Sequence, residues 1–491
     1  MELAKLKVKN AHYDALIIPF GSELEITSFI PEEANAPVNA AIEGGFFKGE
    51  DGEIYKLSML AEGKILNIVL VGLGSKDKIN NRSLFLAFSK AYSACKKLKA
   101  KTIRVVLDNA KEYIENYYVV EKICEAALLV DYEFNEYKSE VKPSTLERVE
   151  FDTSYDRFDE ALAEAIVCAE STILARNLIN QPPAYMTPAK LAEEAQNVGE
   201  ECNIEVNIIH KPEAEELGMN AFLAVGKGSV NSPKVIVMKY FGDKDNEDII
   251  GLIGKGVMYD SGGYCLKPPT SLPTMHGDMS GAAAVVGAMR AIAKMKLKVN
   301  VVGVIPACEN RISGEAYLPG DILKSMSGKY IEMNNSDAEG RLTLADAITY
   351  AIREQKVTKV IDIATLTGAV KIALGNKTAG IISNDDELVK IAQEASEVAC
   401  EKIWRLPADK ELRHALNSSI ADLKNSAAGS TIGGGTILGG LFIQEFVEDK
   451  PWLHIDIAST NWAHEDLPYC PKGGTGFGTS LLYNIVKLMS K

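Results

Sequence analysis

Along the first third of the chain, short β-branched apolar runs alternate with longer stretches in which apolar residues recur every three or four positions. Runs at 15–18, 65–71 and 102–107 are rich in Ile, Leu and Val, which predicts strands with little solvent contact. Helical spacing at 84–98 and 118–130 places helices between and after them. Residues 1–155 therefore read as one α/β domain. The turn Gly72-Leu73-Gly74 follows a strand but lacks a third glycine, so it reads as a tight turn and not a phosphate loop. From about 156 to 180, Phe158, Leu162, Ile166, Ile173 and Leu174 recur at helical spacing, with Asp159, Glu160, Glu164 and Glu170 among them. Pro182 and Pro183 end this helix, because proline lacks the amide proton and disfavours helix in the residue before it. A helix joining two domains fits this pattern, as does one packed on the second domain.

From Thr187 the pattern alternates helix and strand. Thr187-Pro188 opens a helix, with threonine as cap and proline in the first turn. Apolar runs at 204–209, 234–240, 249–253, 299–305, 360–363 and 452–457 are short and branched. Alternation with helices predicts a mixed, largely parallel sheet for residues 181–491. The expected fold class is α/β, with a smaller amino-terminal domain and a larger second one. Ligand sites on such sheets lie beyond the carboxyl ends of the strands.

One of these strands is followed by an abrupt change of chemistry. After the run at 249–253 come Lys255, Asp260, Lys267 and Asp278, separated by glycines and Pro268-Pro269 that force loop geometry. A second polar cluster, Asn334 to Arg341, contains Asp337 and Glu339 two residues apart. Four carboxylates suit an oxygen-rich shell for two divalent ions, which in such sites lie about 3.5–4 Å apart. The same residues could equally form a structural ion-pair network neutralised by Lys255, Lys267 and Arg341.

Composition narrows the remaining choices. Across 491 residues the formal charge is -14, which argues against general adhesion to nucleic acid or anionic membrane. The 8 cysteines never form a close pair, so neither a zinc ribbon nor a disulfide framework is indicated. The start of the chain lacks the apolar core of a signal peptide, and no apolar run reaches membrane-spanning length. The expectation is a soluble, cytoplasmic protein. The 6 histidines include no pair at metal-binding helical spacing, and His276 alone falls near the polar clusters, as a solvent-facing or pocket-wall residue rather than a ligand. Cys265 has no adjacent base to activate it as a nucleophile. Gly433-Gly434-Gly435 precedes a helix without the Lys-Ser/Thr of a nucleotide loop.

The octapeptide Asn335-Ser336-Asp337-Ala338-Glu339-Gly340-Arg341-Leu342 resembles the signature of the leucine aminopeptidase (cytosol aminopeptidase, M17) family. The stretch from Gly254 through Asp260-Ser261-Gly262-Gly263 and Lys267-Pro268 to Asp278-Met279 is similar to that family's other metal-binding segment. Further likenesses lie at 362–369 and 473–478, with Ser336 in place of the usual threonine and His276 in place of a longer basic residue. The resemblance implies an amino-terminal accessory domain (1–155), a connecting helix (156–180) and a catalytic metallopeptidase domain (181–491). It implies one ion, the tighter, held by Lys255, Asp260, Asp278 and Glu339, and a more exchangeable one held by Asp260, Asp337 and Glu339. Manganese or zinc are the expected occupants. Lys267 would stabilise the oxyanion, Arg341 would hold a bicarbonate that relays a proton, and Met275, Thr365 and Gly368 would line a pocket for leucine-like first residues. Expected partners are short peptides and aminoacyl amides, with the chain assembled as a homohexamer. A DNA-binding regulator is the alternative, weakened by the acidic composition and the lack of a basic run.

Overall fold

A computed structural model describes residues 1–7, 12–61, 63–141, 143–429 and 431–490. The chain divides into two compact units within the helix Phe158–Asn180. Unit one comprises Met1–Glu170 with Glu465–Lys472, and unit two comprises Ser171–His464 with Gly473–Lys491.

Unit one is built on a 6-stranded sheet. In spatial order its strands are Glu2–Lys5, Arg148–Asp152, Thr102–Val106, Ala15–Phe20, Lys64–Gly72 and Ile54–Ala61. All neighbours pair parallel except the last two. The run predicted at 15–18 is the central strand Ala15–Phe20, buried at every position. The helix predicted at 84–98 spans Asn81–Lys97, and a capping box explains its start. Asn80 Oδ1 accepts from the Ser83 amide at 2.9 Å, and Ser83 Oγ accepts from the Asn80 amide at 3.1 Å. The edge strand Ile54–Ala61 alternates half-buried and exposed positions through Ser58-Met59-Leu60, a pattern without a continuous apolar run to announce it.

Unit two carries the 9-stranded sheet. Its parallel centre consists of Trp452–Asp456, Lys359–Ala364, Ile249–Gly254 and Asn300–Asn310. Antiparallel neighbours extend it on both sides: Lys234–Phe241 and then Glu205–His210 beyond Asn300–Asn310, and Ala379–Ser383 beyond Trp452–Asp456. The sheet is α/β and mixed, as the alternating pattern predicts. The helix opened by Thr187 spans Pro188–Cys202 and is capped by Thr187 Oγ1, which accepts from the Lys190 amide at 3.3 Å. It ends where Asn203 turns into the left-handed region at φ 55°.

A buried polar pair ties two of the central strands together. Asp362 and His454 stand opposite each other in register, and neither is exposed to solvent. Asp362 Oδ1 lies 2.6 Å from His454 Nδ1, and Asp362 Oδ2 accepts from Trp452 Nε1 at 2.7 Å. Burial alone would depress the imidazole pKa, but the carboxylates of Asp362 and, further off, Asp456 raise it overall. A pKa raised in the folded state stabilises most where both states are protonated, below about pH 6.5, and that contribution fades as pH climbs through the folded value. Asp362→Asn is expected to cost about 3 kcal/mol in urea unfolding at pH 6, because it strands a buried charge. The deficit should shrink at pH 9; an equal loss at both pH values would mean the imidazole is neutral in the fold.

Candidate metal centre

The polar clusters meet beyond the carboxyl ends of the parallel strands in unit two. Lys255 directly follows the strand Ile249–Gly254, and its amide donates to Ile363 O at 3.0 Å. The next strand, Gly256–Asp260, pairs with the end of Asn300–Asn310, with a register shift between Val257 and Asp260. A loop containing Lys267 leads into the 3-10 helix Leu272–Met279, which presents Asp278 and runs into the helix Ser280–Lys294. From the other side, Asp337 and Glu339 immediately precede the helix Gly340–Arg353. A Cβ at position 340 would lie 2.5 Å from Lys255 Cε, so any larger residue there would push the lysine side chain away from its carboxylate partners.

Within the cluster the charges interleave. Lys255 Nζ lies 2.8 Å from Asp278 Oδ2 and 2.8 Å from Glu339 Oε1, and donates to Thr365 O at 2.7 Å. Lys267 Nζ lies 2.7 Å from Asp260 Oδ2 and 2.5 Å from Asp337 Oδ1. Lys255, Asp260 and Glu339 are each no more than 2 % exposed. Four carboxylates against two ammonium groups leave two negative charges locally unbalanced, an expensive arrangement in a low-dielectric setting. Glu339 Oε2 is buried without a hydrogen-bond partner. Oxygens of Asp260, Asp337 and Glu339 all lie within 4.8 Å of one another. Unbalanced charge, an orphaned carboxylate oxygen and three converging oxygens fit divalent cations better than a self-neutralised ion-pair network.

The titration behaviour reflects the same crowding. Burial, reinforced by Glu339, pushes the Asp260 carboxyl up to about 6. Burial also raises Asp278 and Asp337. For Glu339, burial is outweighed by Lys255 and Lys267, so its pKa falls. Lys255 and Lys267 are both raised: burial opposes the ammonium form, and the surrounding carboxylates overcome it.

The other predicted residues sit around this core. Thr365 Oγ1 donates to Asp278 Oδ1 at 2.7 Å, so its hydroxyl serves the carboxylate. Met275 lies on the same 3-10 helix as Asp278. Gly368 begins the helix Gly368–Leu374, exposed and with open space where a Cβ would point. Arg341 is buried, donates from Nη1 to Asn425 O at 2.8 Å, and leaves Nε without a hydrogen-bond partner. Burial lowers its pKa to about 10 against the pull of Glu339, Asp456 and Asp337. His276 packs edge-on against Trp462, with ring centroids 5.2 Å apart. Cys265 contributes its amide to Ser336 Oγ at 2.7 Å.

Sequence reasoning passed over several supporting residues. Asp456 accepts from the Leu366 amide at 3.1 Å and from Thr367 Oγ1 at 2.6 Å, which anchors the loop that bears Thr365. Ser336 Oγ donates to Gly262 O at 2.7 Å and so joins the segment bearing Asp260 to the one bearing Asp337. Asn310 bonds Asp260 directly. The available signal was the one used elsewhere: Asp456 and Asn310 are polar residues at the ends of apolar strands.

The family model "Cytosol aminopeptidase family, catalytic domain" matches residues 173–483, and "Cytosol aminopeptidase family, N-terminal domain" matches residues 21–141. A probable cytosol aminopeptidase of Clostridium perfringens is 44 % identical over 99 % of this chain and 99 % of its own. One of Clostridium tetani is 43 % identical over 93 % of this chain and 94 % of its own. Among solved structures, the bottromycin maturation enzyme BotP in complex with Mn superposes with a TM-score of 0.85 at 31 % identity, covering 97 % of this chain and 100 % of that one. With both domains matched and relatives aligned along nearly the whole length, the chain belongs to the cytosol aminopeptidase family and is a metal-dependent aminopeptidase.

Proposed function

We propose that the chain releases leucine-like amino-terminal residues from short peptides and aminoacyl amides by a two-metal mechanism centred on the buried carboxylate cluster. The observation that carries this reading is the convergence of Asp260, Asp337 and Glu339 beside an orphaned Glu339 oxygen. Lys255, Asp260, Asp278 and Glu339 would hold the tighter ion, and Asp260, Asp337 and Glu339 the more exchangeable one. The oxygen-rich donor set suits manganese, and zinc is also accommodated. A lysine ligand must give up its proton, which the positive field of neighbouring dications favours. When bound, the ions supply Lewis acidity toward the scissile carbonyl and make a water acidic enough to attack it.

The remaining work falls to the chain's own side chains. Lys267 is held protonated by Asp260 and Asp337, ready to stabilise negative charge developing on the carbonyl oxygen. Arg341 stays charged and cannot act as a base, so a bicarbonate held against its guanidinium is the proposed proton relay. A free, uncharged α-amine is a donor that the ions would accept, whereas the delocalised nitrogen of an internal amide is not, which accounts for exopeptidase action. Thr365, its hydroxyl committed to Asp278, would offer its methyl group to the first side chain, with Met275 and the open face of Gly368. Such an apolar pocket discriminates weakly between chains differing by one methylene, so specificity should be broad. Family resemblance supports a cytoplasmic homohexamer, in keeping with 8 cysteines of which no two are close in sequence. The charge of -14 speaks against the DNA-binding alternative.

Chelation should abolish hydrolysis of leucyl-p-nitroanilide, and manganese should restore it; full turnover by metal-stripped protein would sink the proposal. Lys267→Gln is expected to lower kcat by about 100- to 1000-fold with a smaller change in KM. A loss confined to KM would remove Lys267 from the chemistry. Because Asp260 must be ionised to ligate, manganese affinity should weaken as pH falls through about 6. Manganese titrations between pH 5 and 8 test this, and a flat profile would contradict it.

A further inference from the structure

We propose that Asn310 is a positioning residue of the metal centre, whose side-chain amide locks the Asp260 carboxylate and ties it to the segment bearing Asp337. The inference rests on the reading of Asp260 as a metal ligand. Asn310 is the last residue of the central strand Asn300–Asn310 and has no solvent exposure. The register shift after Val257 brings Asp260 directly opposite it. Its Nδ2 donates to Asp260 Oδ1 at 2.8 Å and to Ser336 O, one residue before Asp337, at 2.9 Å. Its backbone carbonyl accepts from the Ser261 amide at 3.0 Å and from Ser261 Oγ at 2.7 Å. Residue 310 thus grips the 260–261 segment through both side chain and main chain.

The chemistry of the donor explains why an amide suits this place. Asp260 Oδ1 also accepts from the Gly262 amide at 2.8 Å. Two N–H donors therefore occupy Oδ1, and Oδ2 is directed into the cluster beside Lys267. The terminal torsion of an aspartate is broad and two-fold, so without such donors the carboxylate would sample several orientations. A lysine or arginine could also hold Oδ1, but its charge would offset the negative field that attracts a cation. A neutral amide orients the ligand and leaves that field intact. The amide orientation is itself determined, because flipping it would set Oδ1 of Asn310 against two acceptors, the Asp260 carboxylate and Ser336 O. Partners that orient metal ligands in this way typically change affinity by about 10- to 100-fold when removed.

The test uses the full chain, stripped of metal and titrated with manganese(II) while free manganese is followed by electron paramagnetic resonance. Asn310→Leu keeps the branched heavy-atom framework, with a modest gain in bulk, and removes the donor; Asn310→Ser removes it with a smaller, polar side chain. Near-UV circular dichroism and thermal unfolding identify the variants that retain the native fold. The expected result is manganese affinity weaker by about 10- to 100-fold, with kcat largely recovered at saturating manganese. A merely structural role would lower thermal stability and leave the affinity of the folded fraction unchanged. Folded variants with wild-type affinity would overturn the inference and leave the metal reading standing. Failure of the wild-type chain to bind manganese would overturn both.

Discussion

Carboxylates taken out of water repel one another unless cations stand between them, and the centre of unit two is arranged around that constraint. Asp260, Asp278, Asp337 and Glu339 converge, with Lys255 and Lys267 wedged between them. The lysines leave two charges uncompensated. Such clusters are weak contributors to stability, since desolvation consumes most of the attraction gained. Their retention makes sense when the unbalanced charge attracts dications.

Holding like charges together requires a rigid frame, and the parallel strands provide it. Lys255 and Asp260 lie at or just past strand ends, where side chains can converge. Glu339 stands at the start of the helix Gly340–Arg353, whose positive end favours a carboxylate. Gly340 lets that helix approach Lys255 closely enough for Glu339 to meet its amine. Asp362, His454 and Asp456, all without solvent exposure, lie on the adjacent strands Lys359–Ala364 and Trp452–Asp456. Asp456 fixes the loop whose Thr365 touches both Lys255 and Asp278. Geometry of the carboxylate cluster is thus inherited in part from polar contacts several residues away.

Much of the fold is readable in the sequence. Branched apolar runs located the central strands, as at 249–253, because strands buried on both faces must be apolar throughout. The strand Ile54–Ala61 escaped notice because its exposed edge carries no such run. Gly256–Asp260 was hidden because it is short and ends in the chemistry itself. Of the residues around the cluster, charged ones stood out by their unusual placement after apolar strands. A neutral one such as Asn310 did not, since an isolated amide looks alike in a turn, a cap or a clamp.

Local order along the chain determined the α/β alternation, the loop character of the glycine-rich segments and the identity of the acidic and basic groups. These follow from periodicity, backbone freedom and side-chain chemistry, all of which act over a few residues. Tertiary structure alone decided which groups meet. Lys255 and Glu339 are 84 positions apart in the chain yet 2.8 Å apart in space, and Thr365 spends its hydroxyl on Asp278. Pairings of that kind depend on strand order and register, which short-range pattern does not encode.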